Sequence, residues 1–281
     1  MKIKLLILSV AIIIISSVSI NILNCKGEAM DKEVDFSDLR VVPQAKWDAL
    51  ANKKIYFGHQ SVGYNIIDGI KDVMTEMPNI KLDIVETKNP EDFDKGIFAH
   101  SSVGRNENPK SKIDDFKKIM DSGVGGKVDI AFFKFCYIDI NSETDQAELL
   151  AYYKKTMNYL EQKYPNTKFV HFTVPIRTTN NSFKANIRRF LKKDVWGDKE
   201  NIARNKYNKI LMDEYVPNED LFNIALYEAT LPDNSLNYCA DRGDDYLALW
   251  SGYSEDGGHL SLLGKKYIAQ KLLLFLIGLE V

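Results

Sequence analysis

The chain has 281 residues, with 37 Lys and Arg against 39 Asp and Glu; the formal net charge of −2 excludes a nucleic-acid binder that works by bulk charge. Hydrophobic residues make up 45% and charged residues 27%, globular values that exclude a disordered or collagen-like chain and suffice for a full core. Three cysteines cannot build a disulfide scaffold, and no two stand in C-x-x-C spacing, so packing must supply the stability.

Lys2 and Lys4 precede an uncharged apolar run from Leu5 to Leu23, the layout of a secretory signal or an N-terminal membrane anchor, expected over residues 1–24. Cys25 follows directly and resembles the lipobox cysteine of bacterial lipoproteins, although Asn24 replaces the small residue usual before it. Lipidation of Cys25, an uncut anchor and secretion are the alternatives, and each places the rest of the chain outside the cytoplasm. Residues 25–40 read as a polar tether, and a single folded domain is expected over 41–281.

Lys54 to Phe57 reads as a strand ending at Gly58, and Ile66, Ile67, Ile70, Val73, Met74 and Met77 then recur at helical spacing up to Pro78. Ile80 to Val85 reads as a second strand, Ile113 to Met120 as a short helix, and Val128 to Phe135 as a buried strand. A helix is expected over Glu143 to Tyr164, stopped by Pro165, before a fourth strand from Phe169 to Val174. Two helices (181–193 and 199–215), a fifth strand from Leu221 to Leu226 and a last helix from Leu262 to Leu279 complete the chain. Strands separated by helices pair in parallel through right-handed crossovers, which predicts a three-layer α/β/α sandwich on a five-stranded sheet. Ligands bind such sheets at the carboxyl ends of the strands.

At the first of these ends, Gly58-His-Gln-Ser61-Val-Gly63 sets a serine at a strand-to-helix junction, where unpaired helix N–H groups face an oxyanion. Ser61 is a nucleophile candidate or simply a helix N-cap. A serine nucleophile needs a base, held in one tautomer by a carboxylate. Among four histidines, His171 lies within a predicted strand, His59 adjoins Ser61, His100 is expected in a loop, and His259 closes Asp256-Gly-Gly-His259 ahead of the last helix. The Asp-x-x-His spacing is weak by itself; its place on the same crevice edge as Ser61 sharpens it.

Phe57-Gly-His-Gln-Ser-Val-Gly63, Asp129 to Asp139 and Asp256-Gly-Gly-His-Leu-Ser-Leu-Leu-Gly264 together resemble the SGNH/GDSL hydrolases over about residues 53–278. Asn201 to Asn208 resembles the helix that precedes the fifth strand in that family. The resemblance implies a flavodoxin-like strand order 2-1-3-4-5, with Ser61 as nucleophile, His259 as base and Asp256 as its orienting carboxylate. The sequence departs from the family at two places: Gly-His-Gln-Ser replaces Gly-Asp-Ser-Leu, and Ile138 stands where an asparagine would donate to the oxyanion. Gly104, through its N–H, and Asn106 or Asn65, through their side chains, are the substitutes that the resemblance suggests for oxyanion or substrate binding.

Ten Lys and Arg between Arg177 and Lys209 form a locally basic stretch that either attracts an anionic glycan or lipid headgroup or lies on the solvated faces of two helices. Trp250 and Tyr253 either stack on a sugar ring or pack against their loop. No histidine pair has metal-ligand spacing, and no cofactor is expected. A nucleotide-binding module is disfavoured because no G-x-x-x-x-G-K-[S/T] follows the first strand. The function these features predict is an extracytoplasmic serine esterase, forming an acyl-enzyme on a small acyl or acetyl ester such as that of an acylated carbohydrate. The alternative is a non-catalytic surface lipoprotein that binds a ligand on the same scaffold. The chain is expected to be a monomer attached to the membrane by its N-terminal lipid or helix, with no nucleic-acid partner.

Overall fold

The computed structural model describes residues 33–180, 182–216, 220–241 and 243–279. The apolar run, Cys25 and most of the expected tether lie outside them. Within the tether, the short helix α1 (Ser37–Arg40) buries Leu39, and Phe36 beside it is buried too. Packing therefore starts ahead of Val41, since Phe36 and Leu39, with Val34 partly buried beside them, find the core that Trp47 and Leu50 of α2 (Gln44–Ala51) also enter.

Six parallel strands form the central sheet: β1 (Lys54–His59), β2 (Ile84–Glu86), β3 (Ile97–Ser102), β4 (Ile130–Phe133), β5 (Lys168–Phe172) and β6 (Leu221–Phe222), in the order β2-β3-β1-β4-β5-β6. The expected order survives with one strand inserted. β3 was not among the expected five because Ile97-Phe-Ala-His-Ser-Ser102 is half polar, and its polar residues are satisfied internally: Ser101 shares a hydrogen bond with Tyr56 (2.6 Å) and His100 with His59 (3.1 Å). His100 thus lies in a strand and not in a loop. The fifth expected strand is cut to two residues, since Asn223 accepts from the Leu226 N–H and starts a helix there. A separate antiparallel pair, β7 (Tyr238–Asp241) and β8 (Asp244–Leu247), lies apart from the main sheet.

Alternation along the strands builds the three layers. Ile55, Phe57, Phe98, Ile130, Phe132, Val170 and Phe172 face one core, which they share with helices α3 (Val62–Glu76), α8 (Ile224–Ala229) and α9 (Leu262–Gly278). Tyr56, Ile97, Ala99, Ala131, Phe133 and Phe169 face the other, with α4 (Pro109–Ile119), α5 (Gln146–Lys163) and α7 (Asp198–Tyr215). Phe57, Phe132, Phe172 and Phe222 run across four strands of the first face, successive ring centroids 4.9 Å apart.

The contact that matters most for the site is α3 against α9. At Gly69 an added Cβ would lie 2.1 Å from the Lys265 carbonyl oxygen, so the backbones meet there with no side chain between them. Lys265 also pairs with Asp72 at 3.0 Å. Elements from opposite ends of the chain are thereby held side by side, α3 beginning directly after Ser61 and α9 three residues after His259. No helix among the described residues is long and apolar enough to cross a membrane.

Candidate active site

Ser61 sits between β1 and α3 with φ +52° and ψ −113°, a left-handed conformation that costs a non-glycine residue about 1–3 kcal/mol. Its side chain makes no capping bond to α3, so the N-cap reading is not the one the geometry follows. The turn is held by its neighbours. Gln60 Nε2 donates to the Val103 carbonyl at 2.9 Å and to that of Gly104, while the Gln60 carbonyl accepts from Lys134 Nζ at 3.0 Å. Lys134 is buried, and burial, offset in part by nearby Cys136, Asp139 and Glu228, pushes its ammonium pKa down.

Ser61 Oγ and His259 Nε2 are 2.7 Å apart, and His259 Nδ1 lies 2.6 Å from Asp256 Oδ2. The other Asp256 oxygen accepts the N–H groups of Gly258 and His259, both at 2.8 Å. Partial burial raises the Asp256 pKa, but the bonds from the His259 ring and from these two N–H groups together outweigh it and hold the carboxyl well below the usual carboxylate range. An ionised carboxylate only accepts, so Nδ1 must carry the ring proton and Nε2 is left as the acceptor for the Ser61 hydroxyl. This is the alignment a base needs to take the serine proton.

Residues 254–260 hold this arrangement in a loop closed by a bridge between Ser254 and Leu260, with Ser254 Oγ donating to the His259 carbonyl at 2.6 Å. Three further ties come from outside the loop. Asn65 Oδ1, one turn into α3, accepts the Leu260 N–H at 3.2 Å. Arg177 Nε donates to the Gly257 carbonyl at 3.2 Å, and the Thr178 N–H donates to the same oxygen at 3.0 Å. The Tyr137 ring stands edge-on to the His259 ring, centroids 6.0 Å apart.

The expected oxyanion donors fare differently. The Gly104 N–H is already committed to Asp115 Oδ2 at 3.0 Å, which removes it as a free donor. Asn106 spends its amide oxygen on Lys112 Nζ (2.9 Å), beside the fully buried Lys112–Asp139 ion pair. Asn65 is tied through its oxygen to Leu260, next to the histidine. The N–H of Ser61 itself makes no hydrogen bond among the described residues and stays open at the start of α3. Asp139, in the block where an asparagine is missing, turns inward and accepts the N–H groups of Cys136 (2.6 Å) and Glu107 (2.9 Å) as well as Lys112.

His59 is buried under the first turn of α3; burial first, then the nearby Lys134 charge, pushes its pKa down to about 2, so it stays neutral. His171 lies in the core against Tyr215, their centroids 3.6 Å apart. Trp250 and Tyr253 are both buried and meet edge to face at 4.8 Å, which leaves no platform for a sugar.

Sequence reasoning missed the supports. Lys134 had a signal, a lone charge inside the apolar run Ile130 to Phe135. The asparagines of α7 had one too, at helical spacing. Asn208 pairs with the N–H and carbonyl of Val174 (2.7 and 2.9 Å), Asn201 with those of Arg177 (3.0 and 2.7 Å), and Asn205 with those of Leu247 (both 2.9 Å). Side chains thus complete the backbone bonding of the segment that leaves β5 and set Arg177 against the histidine loop. Arg204, buried in the same helix, donates to Asn201 Oδ1 (2.8 Å) and to the Tyr137 carbonyl (2.5 Å), and burial brings its pKa down to about 10.

Among the described residues no group of three or more potential ligands is placed to hold a metal ion. No protein-family model matches the chain, and no curated protein does. Solved structures to which the chain is similar include a candidate platelet activating factor from Streptococcus pneumonia, 16% identical over 83% of this chain and 90% of that one, with a TM-score of 0.45. Another is the periplasmic domain of a lipopolysaccharide acetyltransferase from Salmonella ser. Paratyphi A, 13% identical over 83% of this chain and 88% of that one, with a TM-score of 0.40.

Proposed function

We propose that this chain is a serine esterase of SGNH type, acting outside the cytoplasm on a small acyl or acetyl ester such as that of an acylated carbohydrate. The observation that carries the reading is the unbroken hydrogen-bond line Ser61–His259–Asp256 at 2.7 and 2.6 Å, set on a strained serine. In the proposed reaction Ser61 Oγ attacks the ester carbonyl while its proton passes to His259 Nε2. The oxyanion meets the Ser61 N–H at the start of α3, and the departing alcohol takes the proton back from His259. Water, deprotonated by the same nitrogen, then releases the acid. Asp256 orients the ring and stabilises the imidazolium.

A second reading, a ligand-binding protein without turnover, draws on the committed Gly104 N–H and the apolar Ile138. Loss of one oxyanion donor costs roughly 3–4 kcal/mol of transition-state stabilisation, which slows an esterase without abolishing it. A fluorophosphonate probe separates the two. Labelling at Ser61 that disappears in Ser61→Ala, together with turnover in a short-chain ester screen, is the expected result; an unlabelled, inactive, folded wild type would support the binder.

A further inference from the structure

Helix α6 (Phe183–Phe190), in the segment that follows β5, has its faces inverted relative to an ordinary surface helix. Its inward side is held by polar bonds: the Arg189 guanidinium forks onto Asp198 (2.7 and 2.8 Å) and donates to Asn186 Oδ1 (2.9 Å). Its outward side carries Phe183, Ile187 and Phe190, spaced i, i+4, i+7. Phe183 is 80% exposed and Phe190 61%, and they are joined by exposed Leu191 and by Trp196 at 81%. Single exposed apolar residues are ordinary, but five within fourteen residues form a patch that calls for an occupant. Around it stand Lys184, Arg188, Lys192 and Lys193, all exposed; over 183–199 six Lys and Arg face two Asp.

We propose that this patch is a docking surface for an anionic lipid bilayer, with Phe183, Ile187, Phe190, Leu191 and Trp196 entering the headgroup boundary and the surrounding lysines contacting lipid phosphates. Apolar side chains ringed by basic ones suit a lipid surface. A second copy of the chain is disfavoured, because self-pairing would set this excess of positive charge against itself. The patch is also continuous with the candidate active site. The Arg177 guanidinium lies 5.4 Å from the Trp196 ring and 5.2 Å from the Tyr137 ring, which abuts His259. Docking would therefore bring the mouth of the site to the headgroup layer, and the preferred ester would be one carried by an amphiphile in that layer. That consequence rests on the esterase reading; the docking itself does not.

Trp47 and Trp250 are buried, so Trp196 is the exposed tryptophan of the three and reports on the patch. The full chain would be mixed with vesicles carrying brominated acyl chains, either phosphatidylcholine alone or enriched in phosphatidylglycerol, with flotation to score binding. The expected result is quenching of tryptophan emission by the phosphatidylglycerol vesicles well beyond that by phosphatidylcholine, absent in Trp196→Phe and weakened by salt. The Lys184→Glu/Lys192→Glu/Lys193→Glu variant should lose the quenching even where the N-terminal segment still holds it on the vesicle. Ser61→Ala should keep it in full, which separates this test from the fate of the esterase proposal. The proposal is overturned if vesicle-bound wild type shows no lipid quenching, if charge reversal leaves quenching unchanged, or if the chain does not float. It is equally overturned if Trp196 becomes protected from iodide with rising protein concentration in the absence of lipid, which would assign the patch to self-association.

Discussion

Replacing Asp256 by asparagine tests the alignment at the candidate active site with the least disturbance to the fold. The new side chain keeps the oxygen that accepts the Gly258 and His259 N–H groups at 2.8 Å, but presents an NH2 group where Oδ2 now meets His259 Nδ1 at 2.6 Å. Two donors cannot face each other, so the ring adopts the other tautomer and its proton moves to Nε2. That nitrogen then donates to Ser61 Oγ across the 2.7 Å contact and no longer takes the serine proton. A wrong tautomer of this kind costs about 10⁴ in kcat, roughly 5.5 kcal/mol of barrier. Folding should suffer little: the Asp256 side chain is 57% exposed and two of its bonds survive, so the loss stays within the ~1 kcal/mol typical of exposed pairs. Hydrolysis of a short-chain ester and thermal melts, measured on wild type and Asp256→Asn, give the two numbers. Retention of more than about a tenth of the wild-type kcat would refute the assigned role. So would a melting loss large enough to account for the missing activity.

Gly63→Ala should destabilise the protein by about 1–3 kcal/mol in denaturant titration despite alanine's better helix propensity, since the added Cβ would lie 2.3 Å from the buried His59 ring; an unchanged midpoint would contradict it. Ser61→Gly should be about 1 kcal/mol or more stable than Ser61→Ala, because both lose the bond to His259 but only glycine relieves the φ of +52°; equal melting temperatures would show that the turn stores no strain. Burial, opposed by the Ile176 N–H and nearby Lys134 and Arg204, pushes Glu228 up to about 8, whereas the unfolded carboxyl titrates near 4.3. Between those values the folded chain holds a proton that the unfolded chain has released, so stability falls as pH rises, by up to ~1.4 kcal/mol per unit. Glu228→Gln should therefore melt close to wild type at the acid end of this window and progressively above it toward pH 8, and a pH-independent difference would remove the argument. Asp256 carries the opposite sign: its lowered carboxyl contributes stability above the unfolded carboxylate range that is lost as pH falls through its folded value, a term Asp256→Asn should abolish in acid titration.

Alternation of apolar runs with helical periodicity determined, from sequence alone, the layered α/β class and the crevice edge. Burial on both faces leaves the central strands at Ile55 and Ile130 with continuous apolar runs, and the one at Val170 broken only by His171, and that signal is local. β3 escaped because its polar residues are satisfied by partners some forty residues away in sequence, Tyr56 and His59, which only the sheet brings near. The same limit applies at the site. Local chemistry singled out a serine at a strand-to-helix junction and an Asp-x-x-His ahead of the last helix. It did not supply the fit of α3 to α9 at Gly69 that sets them in contact, nor the Asp115 carboxylate that commits the Gly104 N–H. Nor did it show that Asn201, Asn205 and Asn208 give their amides to backbone rather than to solvent, or that Phe183 and Trp196 face outward while Trp250 faces in. Hydropathy and spacing act over a few residues, so a sequence displays them. Which donor meets which acceptor depends on contacts between distant segments, and these exist only once the chain has packed.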